Sequence, residues 1–180
     1  MHAHIAEQPS TALISPGASA ERTVVLASVD VVDTPVVASI VLVPAGCAPV
    51  DFELTLPVTA AQFCVPHTLD VGAFFDEWRQ MAPSAGLEAQ LVLSIRPHGN
   101  DTARYSATLA AAGFAVLPGI DVRSETLVAA AALCTEHSRM LVLVRFEPSA
   151  AACLARLTVR AANGTAAQAL LALLAKPLAE

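Results

Sequence analysis

Two stretches near the C-terminal end alternate apolar and charged residues at period two, and they constrain the fold more than anything else in the chain. In RMLVLVRFEP, Met140, Val142, Val144 and Phe146 fall on one side, and Arg139, Arg145 and Glu147 on the other. In ARLTVR, Leu157 and Val159 share one side while Arg156, Thr158 and Arg160 share the other. Residues two apart on a strand face the same way, so both stretches are strands with one core face and one arginine-bearing face. The short connection EPSAAAC predicts an antiparallel hairpin. A four-residue loop centred in that connection sets Arg145 opposite Arg156. Like charges directly opposite one another destabilise a sheet, so an acid is expected nearby. Glu147 is one, and a ligand is expected to bring another.

A helix is predicted upstream, in LDVGAFFDEWRQM (69–81), with Asp70 as N-cap and Phe74, Phe75, Trp78 and Met81 at helical spacing. Phe74 suits the core. Phe75 and Trp78, three residues apart and therefore neighbours on the helix surface, are placed toward the rim of the sheet. An ordinary core stripe and a solvated arginine face are the plain alternatives for these two features taken singly. Asp76 and Glu77 are adjacent on the helix and point in different directions, so they are surface acids and no catalytic pair.

Taken together and in this order, FELTLPVTAAQF, FFDEWRQM, LVLVRFEP, RLTVR and TAAQALLALL resemble the C-terminal appendage, or ear, of the α-type large subunit of the endocytic clathrin adaptor complex. The resemblance runs from Phe52 to the C-terminus and weakly back to about residue 22. It implies an α+β fold in which an antiparallel platform sheet flanked by helices follows a β-sandwich. It also implies a groove that binds Asp-Pro-Phe, Asp-Pro-Trp and Phe-x-Asp-x-Phe motifs of endocytic accessory proteins. By motif position, Phe75 and Trp78 are the implied aromatic walls, and Arg145, Glu147, Arg156 and Arg160 the implied polar lining. An aromatic anchor wants a stacking partner and a peptide carboxylate wants a guanidinium fork, so residue chemistry and resemblance indicate one face. The sequence departs from the family pattern at Glu77, which adds negative charge beside the groove, and at Ala155, which predicts a shallower one. The alternatives are a shortened structural remnant of such an appendage that lacks useful peptide binding, and an appendage of a related adaptor or coatomer subunit. Other adaptor subunits are implied partners where a trunk is attached.

Charge and composition narrow the remaining classes. Residues 1–66 hold one arginine and six acids, net −5, while residues 67–180 hold nine basic and ten acidic side chains, net −1. An acidic chain is a poor nucleic-acid binder, because such affinity comes largely from neutralising phosphates. Hydrophobic residues make up 55% of the chain, much of it alanine. The longest apolar runs are about eight residues, far below the roughly twenty needed to span a bilayer. No signal peptide is visible in MHAHIAEQPS, so a cytoplasmic protein without membrane insertion is expected, located through the resemblance at coated pits on the plasma membrane. G-x-S-x-G, Walker A, G-x-G-x-x-G and H-E-x-x-H are all absent; no catalytic residue, cofactor or enzymatic activity is expected. Cys47, Cys64, Cys134 and Cys153 form no C-x-x-C pair and read as small buried hydrophobes in a reducing compartment. His2 and His4 sit in a tail without further ligands, and no metal site is assigned.

The expected organisation has three parts: a mobile tail over 1–21, the last strands of a sandwich over 22–66, and the platform over 67–180. TVVLASVD, VVASIVLV and APVDFELTLPVT are read as successive antiparallel strands, too few for a whole sandwich. A fragment of a longer chain, or a shortened form, is the expectation. QFCVPHTLD is read as the linker, with Pro66 stopping the last strand. Then come the aromatic helix, a strand in EAQLVLSI, a helix in DTARYSATLAA with Asp101 near its N-cap, and strands in AGFAVLPGI, TLVAAAALCTE, RMLVLVRFE and ACLARLTVR. A final helix is expected to start with a Thr165–Gln168 capping box and end at Pro177. All helices are expected on one face of the sheet.

Overall fold

The computed structural model describes residues 3–5, 14–15, 18, 26–28, 36–44, 46–96 and 102–179. In chain order its elements are β1 (Ala3–Ile5), β2 (Leu26–Ser28), β3 (Val36–Leu42), β4 (Val50–Leu56), β5 (Cys64–Pro66), α1 (Val71–Gln80), β6 (Glu88–Ser94), α2 (Thr102–Ala111), β7 (Ala115–Val116), β8 (Leu127–Cys134), β9 (Arg139–Ser149), β10 (Leu154–Ala161) and α3 (Gly164–Ala179). The architecture is α+β. A six-stranded antiparallel sheet runs β5–β8–β9–β10–β6, with β7 also pairing with β8.

One face of this sheet carries α2 and α3. Tyr105, Leu109, Leu170 and Leu174 pack there against Val142, Val144, Phe146, Leu157 and Val159. The opposite face carries α1 and the loop after β7: Phe74, Met81, Leu117 and Ile120 cover Val128, Ala130 and Leu143. The expectation of all helices on one face is therefore corrected. α1 has its own apolar stripe, and the β8–β9 hairpin offers apolar side chains on both faces to receive it. β8 is buried nearly throughout, as expected of a strand with both faces covered.

Asp70 does cap α1, its carboxylate accepting from the Ala73 backbone N–H at 2.8 Å. The last helix differs from its expected form. Asn163, not Thr165, caps it, accepting from the Thr165 N–H at 2.8 Å. The first helical residue is Gly164, where a Cβ would lie 2.4 Å from the Gly86 carbonyl oxygen; only glycine allows that approach. The helix continues through Pro177 to Ala179, since proline in a last turn forfeits a single backbone bond. Asp101 lies outside the described residues. AGFAVLPGI contributes a strand of two residues, because Gly113 at φ +85 and Gly119 at φ +74 break the extended run at both ends.

The segment read as a linker is an edge strand. Cys64–Pro66 pairs with Leu133–Ala131 of β8, and Ala60 is buried beneath α3 in the same core. Pro66 is tolerated because an edge strand leaves one row of amides without ladder partners. The main sheet thus begins before the expected boundary at 66/67.

The three strands expected to form part of a sandwich do not join into one sheet. Among the described residues β3 and β4 pair only with each other, from Val36 opposite Leu56 to Leu42 opposite Val50. β2 pairs with β1 instead, so residues 3–5 of the expected tail are a strand; most of the rest of that tail lies outside the described residues. Of the cysteines read as buried, Cys64 is buried and Cys134 and Cys153 are half-buried, but Cys47, in the turn between β3 and β4, is exposed.

Candidate functional site

The α1 face of the main sheet carries the charged side chains in ladder rows. In one row Val92 of β6, Arg156 of β10 and Glu147 of β9 lie side by side; the next holds Gln90, Thr158 and Arg145; the third holds Glu88, Arg160 and Leu143. The loop between β9 and β10 does span four residues, Ala150–Cys153, but it falls one residue later than expected. Cys153 closes it with φ 52 in the left-handed region. The register therefore moves by two, which preserves each residue's face and places Arg156 opposite Glu147, not opposite Arg145. An opposite-charge pair replaces a like-charge one.

All three arginines have acids within the chain. Arg156 donates to Glu147 at 2.6 Å. Arg145 lies 3.4 Å from Glu147 and donates to Asp121 at 2.6 and 3.0 Å through two nitrogens of its fork. Arg160 donates to Glu88 at 2.6 Å. Three guanidiniums meet three carboxylates, and the second acid expected from a ligand is supplied by Asp121 and Glu88. Asp121 and Glu88 were not singled out in the sequence. Asp121 sits in a loop without periodicity, whereas Glu88 begins a strand opposite Arg160, a signal that strand pairing would have exposed.

The electrostatics follow from this packing. Burial pushes the Asp121 carboxyl up, but the Arg123 backbone N–H and the Arg145 guanidinium more than offset it, holding the group below its ordinary value. The hydrogen bond to Glu147 holds the Arg156 guanidinium above its ordinary value. Arg156 remains 50% exposed along its side chain, while Glu147 is 9% exposed. Of the ion-paired side chains of the ladder, Arg156 is accordingly the most open to a ligand.

Phe75 and Trp78 are both half-buried at the edge of the α1 core, with Phe74 fully buried between helix and sheet. Phe74 holds the indole in an offset stack, with centroids 5.5 Å apart and planes at 21°, and meets Phe75 edge-on at 86°. The Arg160 guanidinium lies 4.2 Å from the Trp78 ring centroid and also donates to the Trp78 carbonyl oxygen. The cation–π contact and the hydrogen bond tie the aromatic helix to the arginine strand, joining features that stand 82 residues apart in the chain. Ala155, expected to make the groove shallower, is buried with the α2–α3 core on the other face; its small side chain fits that packing.

Beyond Arg156 the surface continues into a cleft of about 330 Å³, walled by Val92, Leu154 and Pro148, with Arg123 and Thr126 across from them. A strip bearing a tethered indole, a half-exposed guanidinium and an apolar cleft is suited to an extended chain bearing both an aromatic and an acidic side chain. The family model described as "Alpha adaptin AP2, C-terminal domain" matches residues 62–178, a span that takes in β6–β10, all three helices bar the last residue of α3, and β5. With about two thirds of its length matched, from the edge strand at Cys64 to the closing helix, this chain belongs to the AP2 alpha-adaptin C-terminal domain family, a family of protein-interaction domains of a clathrin adaptor.

Proposed function

We propose that this domain is a clathrin-adaptor appendage whose groove between α1 and the arginine ladder binds Asp-Pro-Phe/Trp and Phe-x-Asp-x-Phe motifs of endocytic accessory proteins. In that role it acts in the cytoplasm at coated pits on the plasma membrane, and the segment before it belongs to a neighbouring sandwich unit. The carrying observation is the Arg160–Trp78 contact at 4.2 Å, which fixes an aromatic wall against a row of guanidiniums before any ligand arrives. Preorganisation of this kind lowers the ordering cost of binding a flexible peptide. Phe75 and Trp78 take the motif's aromatic side chain in this reading, and Arg156 and Arg145 take its carboxylate, in exchange for part of their bonding to Glu147. Among the described residues no helix is long and apolar enough to cross a membrane.

The internally neutral ladder favours one other reading, a platform that keeps the fold without useful peptide binding. Calorimetric titration with an Asp-Pro-Phe peptide separates the two. Binding to the native chain, a loss of roughly thirtyfold in Trp78→Ala, equivalent to about 2 kcal/mol for an aromatic anchor, and a loss in Arg156→Glu are expected. Circular dichroism should show both variants folded. Absence of heat with native protein at millimolar peptide leaves the structural reading.

A further inference from the structure

We propose that the open edge of β6 is a self-association surface, on which β6 of a second copy of this chain pairs antiparallel and joins two main sheets into one. The inference concerns backbone groups at the rim of the sheet and does not depend on peptide binding in the groove.

The two rims of the main sheet differ. β5 closes one side with three residues ending in Pro66, and a short strand carrying a proline is a poor template for a further strand. β6 closes the other with seven residues, EAQLVLS, in unbroken register with β10. It holds no proline and no lysine, and its one charge, Glu88, stands at the first position. Leu91 and Val92 are 42% and 59% exposed, on opposite faces of the strand. Among the described residues no strand pairs with its outer side.

The backbone groups left open can be named. The Leu87 carbonyl accepts from the Ala161 N–H at 3.0 Å, and the Ile95 N–H donates to the Cys153 carbonyl at 2.9 Å, so both residues face β10. Bonding direction alternates along an antiparallel strand, and Ala89, Leu91 and Leu93 therefore face β10 too. Glu88, Gln90, Val92 and Ser94 turn both N–H and C=O outward.

A second β6 complements this edge, and one register uses the whole strand. With Leu91 on a two-fold axis, Gln90 meets Val92 and Glu88 meets Ser94, so every outward N–H faces an outward C=O of the copy. Leu91 meets its own counterpart in the closer, non-hydrogen-bonded kind of pair, covering apolar surface that one chain alone leaves exposed. No like charges stand opposite one another. Arg96, exposed two residues beyond Ser94, falls on the diagonal to Glu88 of the other copy, within reach of a long side chain.

Backbone amide hydrogen exchange of the full chain, followed over a concentration series, tests this pairing. The amides of Glu88, Gln90, Val92 and Ser94 should slow by about fivefold or more from the dilute to the concentrated end, while those of Ala89, Leu91 and Leu93 stay protected throughout. Leu91→Lys, which sets like charges together at the axis, should abolish the slowing. Gln90→Pro, which removes an outward N–H and no bond to β10, should abolish it as well. Leu54→Lys, on the exposed β3–β4 hairpin, should leave it in place. Fast exchange of the four amides at every concentration, or protection already complete at the dilute end, would overturn the assignment. So would slowing that survives both β6 variants while Ala89 and Leu93 stay protected, or slowing that vanishes in Leu54→Lys. Slowing that follows an added Asp-Pro-Phe peptide and not protein concentration would give the edge to a peptide strand, and the second copy would be refuted.

Discussion

The main sheet and the β3–β4 hairpin are made of similar residues, yet one is a core and the other is almost all surface. In β9, Val142, Val144 and Phe146 are fully buried under α2 and α3. In the hairpin, Ile40, Leu42, Val50, Phe52 and Leu54 share one face and all remain exposed. Strand pattern alone does not distinguish them. A strand becomes core when helices and neighbouring strands close over both of its sides, and two strands without such cover are marginal in water. The difference lies in partners, not in residue type.

The largest expected effect tests that statement directly. Phe146, fully buried and 4.7 Å from the Tyr105 ring, should cost about 3–5 kcal/mol when cut to alanine. Phe52→Ala, at 49% exposure, should cost less than about 1 kcal/mol. Urea unfolding of both variants measures the contrast. Equal losses would mean that the hairpin face is packed against something.

Thiol chemistry sharpens the same contrast without altering the fold. Cys64, on the edge strand of the main sheet, is pushed up to about 12 by burial and then by the nearby Cys134, from an ordinary 9.0. Since the thiolate is the reactive form, its population at pH 8 should be about a thousandfold below that of an ordinary thiol. Cys47 lies exposed in the hairpin turn. A disulfide reagent at pH 8 should modify Cys47 within minutes and Cys64 only on unfolding. Comparable native rates for the two would contradict the burial of β5.

How much of this was legible beforehand differs between the same two regions. α1 with its Asp70 cap, the β9–β10 pair and the facing of Arg145, Arg156 and Arg160 followed from period and capping, which are local properties. The edge strand at Cys64–Pro66 did not, because three residues ending in proline carry no period and acquire their role only from β8. The ladder register was missed by two because it depends on Cys153 adopting a left-handed backbone. Asp121 escaped because its loop is positioned by tertiary contacts alone. In the groove, the aromatic and basic residues were readable singly; their contact through Arg160 and Trp78 was not.

A middle-sized effect concerns that loop. Asp121, at 7% side-chain exposure, anchors Arg145, and Asp121→Asn should cost about 1.5–3 kcal/mol at neutral pH, the range for hydrogen bonds to charged groups. The sign of its pH dependence follows from its depressed folded value. The stabilisation is complete above the unfolded value, near 3.8, and is lost as pH falls through the folded one. Urea midpoints of native and Asp121→Asn protein should therefore begin to converge only as pH falls below 3.8, and meet below the folded value. A gap that persists there would assign the cost to packing and not to charge.

The smallest effect on stability belongs to the hairpin itself, and it carries the sharpest test of the comparison. Val36, Ala38, Ile40 and Leu42 stand opposite Leu56, Leu54, Phe52 and Val50, and cross-strand partners share a face. Eight apolar side chains thus form one side of a two-stranded sheet whose outer edges are unpaired among the described residues. Such a surface is prone to pair with another chain. Leu54→Lys should change the unfolding free energy of the main sheet by no more than about 0.5 kcal/mol, because Leu54 is half exposed and, among the described residues, its strand pairs with β3 alone. The same variant should lower self-association of the full chain, read by sedimentation velocity at increasing concentration. Limited proteolysis should cut between residues 43 and 59 well before any bond between 60 and 179, leaving a product that starts near Thr59, ahead of the buried Ala60. A monomeric native chain that resists cleavage before residue 60 would show that the hairpin face is covered, and the contrast between the two regions would then be one of degree only.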